Sequence, residues 1–228
     1  VVFTMLLLLV APGAVIVSYA QTYEQLIGLA IWTGLAGNTF VVGIAWNSAW
    51  ASKERQGFAL GVFGAGNVGA SATKFIAPVV IALIPAGYIA GVVPGGWRFI
   101  PMLYAALLVV MAIVLWTKSP IPDRKPAATR SFIAMHRPLR ALNAWRFSYY
   151  YNIVFGAYVA LALWLPKYYV DTFNVSLTTA ALLTASFIFP ASLLRPLGGW
   201  LADKWGARRA TDTFLLIMIA PAAVVSVP

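Results

Sequence analysis

Long apolar runs, broken at intervals by short polar clusters, set the reading of this sequence. Six stretches are long enough to cross a bilayer, roughly residues 1–20, 26–50, 57–83, 98–116, 147–166 and 177–201, and a seventh over 210–228 is cut short. A helix needs about 20 residues to cover a hydrocarbon core about 30 Å thick. The 98–116 run is the cleanest, with almost no polar atom from Phe99 to Trp116, and is expected to face lipid or its own bundle. Residues 57–97 are too long for one crossing and short for two. Pro78, Pro85 and Pro94 break the later part together with Gly87, Gly91, Gly95 and Gly96, because proline removes a backbone donor and glycine marks irregular turns. The reading is one helix to about residue 83 and an irregular return through Gly95; a re-entrant piece is the alternative. The pattern predicts an all-α polytopic membrane protein.

Composition removes the soluble classes. Only 10% of the 228 residues are charged and 61% are hydrophobic, where an ordinary soluble domain carries about 25% charge. Without cysteine there is no disulfide framework, thiolate metal site or thiol nucleophile. The single histidine, His136, lies in a basic loop, and no Ser–His–Asp set, paired carboxylates or HExxH motif can be built. No metal, cofactor or enzymatic chemistry is expected. The sequence opens on Val1, not Met, and runs out near Pro228 inside an apolar stretch, so it reads as an internal piece of a longer protein.

The net charge of +10 is mostly a topology signal. Connections near 52–57, 117–146 and 203–209 hold Lys53, Arg55, Lys118, Arg124, Lys125, Arg130, Arg137, Arg140, Arg146, Lys204, Arg208 and Arg209. The alternate ends, near 21–25, 84–98 and 167–176, hold only Arg98 and Lys167. The positive-inside rule puts the first set in the cytoplasm. Trp97, Trp116, Trp145, Trp164, Trp200 and Trp205 fall near span ends, where indole rings prefer the headgroup level. Nucleic acid is not an expected partner, since the basic residues sit at membrane edges and not on one folded face. The connection 118–145, with Pro120, Pro122, Pro126 and Pro138, divides a first bundle (1–117) from a second (146–228). Its stretch from Ser131 to Leu142 fits a short amphipathic helix on the inner leaflet.

Three features are costly in hydrocarbon and need a reason. Arg195 lies eight residues before Asp203, which marks the inner edge, so it sits about 12 Å deep. A guanidinium there must be paired or hydrated. It either meets a carboxylate or binds a small planar oxyanion through its fork of donors. The second feature is the run Gly57, Gly61, Gly64, Gly66 and Gly69 around Asn67, opposite Gly28, Gly34, Gly37 and Gly43. Small faces in adjacent spans suggest a close helix pair, while Asn67 can donate to an oxyanion in the room left by the glycines. No lysine follows in phosphate-loop spacing. The third is Lys74, which either reaches the outer headgroups or faces the pathway. Tyr151 and Phe155, four apart on one helix face, either line a polar site or pack in the core. No Asp or Glu lies deep in a span, so a carboxylate proton relay is absent from this piece.

RPLGGWLADKWGARR, residues 195–209, resembles the cytoplasmic-loop motif of the major facilitator superfamily, with Gly199, Asp203, Gly206, Arg208 and Arg209 in its latching positions. GFALGVFGAGNVGASATKFIAP, residues 57–78, is similar to the nitrate signature of the nitrate/nitrite porter family, and GLAGNTF, residues 34–40, resembles that family's fourth span. The resemblance covers essentially the whole chain. It implies spans three to eight and part of nine, in a major facilitator fold of two six-helix bundles that is incomplete in this chain. It implies that Arg195 and Asn67 bind substrate, with Tyr151, Phe155, Phe40, Gly37, Gly64 and Gly66 around them. Lys74 stands where a glutamine is expected. The resemblance also implies a monomeric, multi-pass protein of a bacterial inner membrane, surrounded by lipid, that exchanges nitrate and nitrite; the alternatives are proton-coupled symport, a same-fold facilitator for another small anion and, from another class, a non-transporting membrane sensor. The family's partner arginine, on the second span, falls outside this chain.

Overall fold

A computed structural model describes residues 1–89, 91–119 and 136–225. Along the described residues the chain runs through α1 (Val2–Val17), α2 (Tyr23–Trp50), α3 (Lys53–Leu83), α4 (Gly96–Lys118), α5 (Leu142–Phe173), α6 (Leu177–Trp205) and α7 (Ala207–Val225). Helices α2 to α6 are each long and apolar enough to cross a membrane; α1 is apolar but shorter. The six expected crossings thus stand as helices, with shifted ends. The crossing expected at 147–166 is a 32-residue helix, Leu142–Phe173, because Pro166 enters it without ending it. The connection expected at 118–145 falls mostly on residues 120–135, outside the described residues, as does most of the amphipathic segment from Ser131. Its described part, Arg137–Arg140, is a 3-10 turn.

Local chemistry fixes the helix ends. Thr22 and Gln25 form a reciprocal capping box on α2, with Gln25 N–H donating to Thr22 Oγ1 and Thr22 N–H to Gln25 Oε1, both at 3.3 Å. Ser176 accepts from Thr179 N–H at the start of α6. Asn174 ends α5 with φ 51°, and Gly206, at φ 85°, separates α6 from α7. The irregular return after α3 is a small hairpin of β1 (Tyr88–Ile89) on β2 (Val93–Pro94). It is tied to the α1–α2 corner by Tyr19 Oη donating to the Val92 carbonyl at 3.0 Å, and Arg98 Nη2 donating to the Ala20 carbonyl at 2.9 Å.

Packing uses small residues. Ala105 and Ala112, seven apart, bury one face of α4 against α1, which buries Leu7, Val10, Ala11 and Ala14. Much of the rest of α4 and of α5 shows apolar side chains outward. Exposure of that kind carries no hydrophobic cost in lipid, where tails are as apolar as leucine.

The glycine run of α3 corrects the expected pairing. Its closest partner is not α2 but the second part of α6. A methyl added at Gly57 would meet the Gly199 carbonyl, one at Gly61 the Arg195 carbonyl at 2.5 Å, and one at Gly199 the Gly57 carbonyl. Only Gly43 on α2 makes a comparably tight contact, with the Phe63 ring of α3. Around Gly28, Gly34, Gly37, Gly66 and Gly69 there is open space. The sequence pattern located small faces but carried no information on which helix each would meet.

Three helices are interrupted. A 3-10 turn spans Leu35–Gly37 in α2, over Leu-Ala-Gly, and another Ala65–Asn67 in α3, over Ala-Gly-Asn. Helix α6, expected as continuous over 177–201, breaks at Leu194, since Pro196 has no N–H for the Ser192 carbonyl. Gly199→Ala is expected to destabilise the full-length protein by about 1–3 kcal/mol through overpacking, read as a lower melting temperature in detergent. Gly198→Ala, at a position with open space, is expected to leave it unchanged.

Candidate functional site

The turn in α3 and the break in α6 are neighbours, and the polar chemistry gathers where they meet. Phe40, just past the first turn, stacks on Phe63, just before the second, at 5.7 Å between centroids. Gly64 lies against the Arg195 side chain, so that an added methyl would stand 3.2 Å from its Cδ. In a 3-10 turn residues three apart are eclipsed. Gly64 and Asn67 therefore face the same way, toward Arg195.

Arg195 begins the helical piece after the break and is half-buried. With the Asn67 amide oriented by its surroundings, oxygen toward the guanidinium, Nη2 and Nη1 donate to Oδ1 at 2.9 and 3.0 Å. Two aromatic rings of α5 lie beside the same group, Phe155 at 5.6 Å and Tyr158 at 5.9 Å from Arg195 Cζ. Tyr151 extends the stack, 5.0 Å from Phe155 and nearly parallel at 11°. Tyr158 Oη also pairs with Ser192 Oγ at 3.3 Å, on the last turn before the break. Among the described residues the ion pairs are Lys167–Asp171 and Arg208–Asp212, so no carboxylate meets Arg195 there. Nor do three His, Asp or Glu side chains converge there as a metal-ligand set would.

This arrangement sorts the expected residues. Arg195, Asn67, Gly64, Phe155 and, through the stack, Tyr151 come together. Phe40 joins at one remove, through Phe63. Gly37 and Gly66 do not touch the cluster; each belongs to a 3-10 turn and faces open space. Lys74 lies two turns along α3 from Asn67, half-buried. Tyr158 was not expected. The signal for it was in the chain, because Tyr151, Phe155 and Tyr158 follow the i, i+4, i+7 rule of one helix face. The contact with Ser192 had no such signal.

A second polar contact closes the basic end of the same two helices. Asp203 Oδ1 accepts from Gly57 N–H at 2.7 Å and Oδ2 from Phe58 N–H at 2.8 Å. A carboxylate thereby caps the first turn of α3, where free N–H groups and the helix dipole favour negative charge. The Gly57–Gly199 approach makes this reach possible. Gly206 gives the turn into α7, Arg208 pairs loosely with Asp212 at 3.8 Å, and Arg209 is exposed. A cavity of about 440 Å³, lined by Glu54, Arg55, Phe58, Trp200, Asp203 and Lys204, opens here.

Comparison with known proteins follows this geometry. The family model described as Major Facilitator Superfamily matches residues 1–228. A protein of Thermus thermophilus named as a probable nitrate/nitrite antiporter, NarK1, is 61% identical over 221 residues, covering 96% of this chain and 50% of its own. The nitrite extrusion protein of Bacillus subtilis is 33% identical over 195 residues, covering 85% of this chain and 46% of its own. A probable nitrate/nitrite transporter of Mycobacterium tuberculosis, NarK2, is 32% identical over 191 residues, covering 82% and 45%. The chain spans about half the length of these curated relatives. No solved structure matches it.

Asp203→Asn is expected to weaken the contact between α3 and α6, since a hydrogen bond to a charged acceptor contributes about 1.5–3 kcal/mol. Spin labels at Lys53 and Lys204 of the full-length protein measure this as a longer and broader distance distribution.

Proposed function

Because the chain belongs to the major facilitator superfamily, we propose that the full-length protein carries nitrate and nitrite across the membrane by alternating access, exchanging one for the other. The observation that carries this reading is the state of Arg195. Its guanidinium is held by a neutral amide and two aromatic rings. Both Nη atoms have an acceptor, but among the described residues no carboxylate answers the charge. A small planar monoanion supplies what is missing, and the fork of Nη donors matches two oxygens of such an ion. The names of the relatives point to the same solutes.

In this reading the anion displaces the Asn67 oxygen from the guanidinium, and the amide turns to donate through its nitrogen. The stacked rings of Phe155 and Tyr151 exclude water from one side. The anion leaves chemically unchanged, so the protein acts as a carrier and not as an enzyme. Residues 1–117 and 146–228 belong to two bundles that rock about this site, joined by 118–145. The basic connections at 52–57, 118–145 and 203–209 face the cytoplasm of a bacterial cell. The Asp203 cap then seals the cytoplasmic end, with Gly199, Gly206, Arg208 and Arg209 forming its surroundings. Exchange is favoured over proton symport by the absence of a deep carboxylate from the described spans and by the antiporter name of the Thermus relative.

Counterflow of labelled nitrite against nitrate in proteoliposomes tests the reading. Arg195→Lys keeps the charge and loses the fork, and is expected to lower counterflow about a hundredfold at comparable membrane abundance, the scale of two charge-assisted hydrogen bonds. Near-normal flux in that variant overturns bidentate binding. Net nitrate flux that rises with an imposed proton gradient, without nitrite on the other side, would replace exchange with symport.

A further inference from the structure

Past Asn67, the same face of α3 carries two polar groups that the Arg195 cluster does not use. Ser71 and Lys74 follow Asn67 by four and seven residues, in regular helix, so all three share one face. Ser71 is fully buried, and its hydroxyl has no hydrogen-bond partner among the described residues. A hydroxyl on a buried helix ordinarily donates to the carbonyl four residues back. Thr73 does so to Gly69 and Thr184 to Ala180, each at 2.8 Å; Ser71 does not. Lys74 is half-buried, and neither ion pair among the described residues involves it. Phe75 packs edge-on against Phe189 at 6.3 Å. This part of α3 therefore lies along α6, six residues before Arg195.

Among the described residues, then, a hydroxyl without a hydrogen bond and an ammonium without an ion pair lie one turn apart at hydrocarbon depth, and each such group costs free energy. One ligand answers both. A small monovalent oxyanion accepts the Ser71 proton and neutralises the ammonium. We infer that Lys74 and Ser71 form a second anion subsite, outward of Arg195, that captures the incoming ion before the guanidinium takes it. The inference rests on the reading that an anion passes Arg195. The two places are about 10 Å apart along the helix, far enough for separate occupancy. The ammonium is a point charge with rotatable donors, without the planar match of arginine. It suits capture, and leaves discrimination between solutes to Arg195.

Full-length protein in oriented proteoliposomes tests this, with nitrate as the probe and initial rates taken from each face. Lys74→Gln is expected to raise the outer-face KM about tenfold, the scale of one charge at about 10 Å and moderate dielectric, with kcat little changed. Ser71→Ala is expected to raise it about threefold, as one net hydrogen bond would, and Lys74→Arg to restore it. An unchanged outer KM in Lys74→Gln, or an equal rise on both faces, overturns the subsite. If Lys74→Gln does not accumulate, Ser71→Ala decides, and an unchanged KM there overturns it as well. A wild-type protein that moves no nitrate fails the transport reading instead. The subsite is then judged by nitrate-dependent thermal stabilisation: its loss in Lys74→Gln upholds the inference, and its retention ends it.

Discussion

A guanidinium at hydrocarbon depth must have its donors satisfied, and how they are satisfied decides what the rest of the structure can do. Here a neutral amide accepts from both Nη atoms while two rings of α5 lie beside the group. A carboxylate in the same place would accept the same hydrogen bonds and cancel the charge, leaving nothing for a ligand. Asn67 does the first and leaves the second. The cost of a partly uncompensated cation is met by the flanking rings, by half-burial, and by the close glycine contacts that fix α3 against α6.

The same two helices solve the opposite problem at their basic end. There the orphans are backbone N–H groups of the first turn of α3, and the group that answers them is a carboxylate, Asp203. An amide in mid-helix and a carboxylate at the helix end are each matched to local need: one preserves positive charge, the other supplies negative charge to a dipole. Both contacts require backbones within touching distance. The glycines at 57, 61, 64 and 199 thus serve both the Arg195–Asn67 contact and the Asp203 cap, roughly two turns apart.

Much of this was legible in the chain. Apolar run lengths gave the crossings. Arg195 and Asn67 stood out because polar groups in hydrocarbon need explanation. Three things were hidden. The partner of the glycine run depended on which helices lie side by side, a property of the whole arrangement and not of spacing. The 3-10 turns carry no proline to announce them, and their Leu-Ala-Gly and Ala-Gly-Asn triplets read as ordinary helix residues. Tyr158 lay on the expected helix face, but its tie to Ser192 arises only because α6 breaks where it does.

The turn at Ala65–Asn67 has a mechanical corollary. Three residues in 3-10 geometry rise about 2.0 Å each and turn about 120°, against 1.5 Å and 100° in an α-helix. Relaxing that triplet would shorten α3 by about 1.5 Å and twist its two ends by about 60° relative to one another. Helix α3 thus contains a screw-like joint at its middle, through which sliding at the Asp203 end would be converted into rotation of the Asn67 amide.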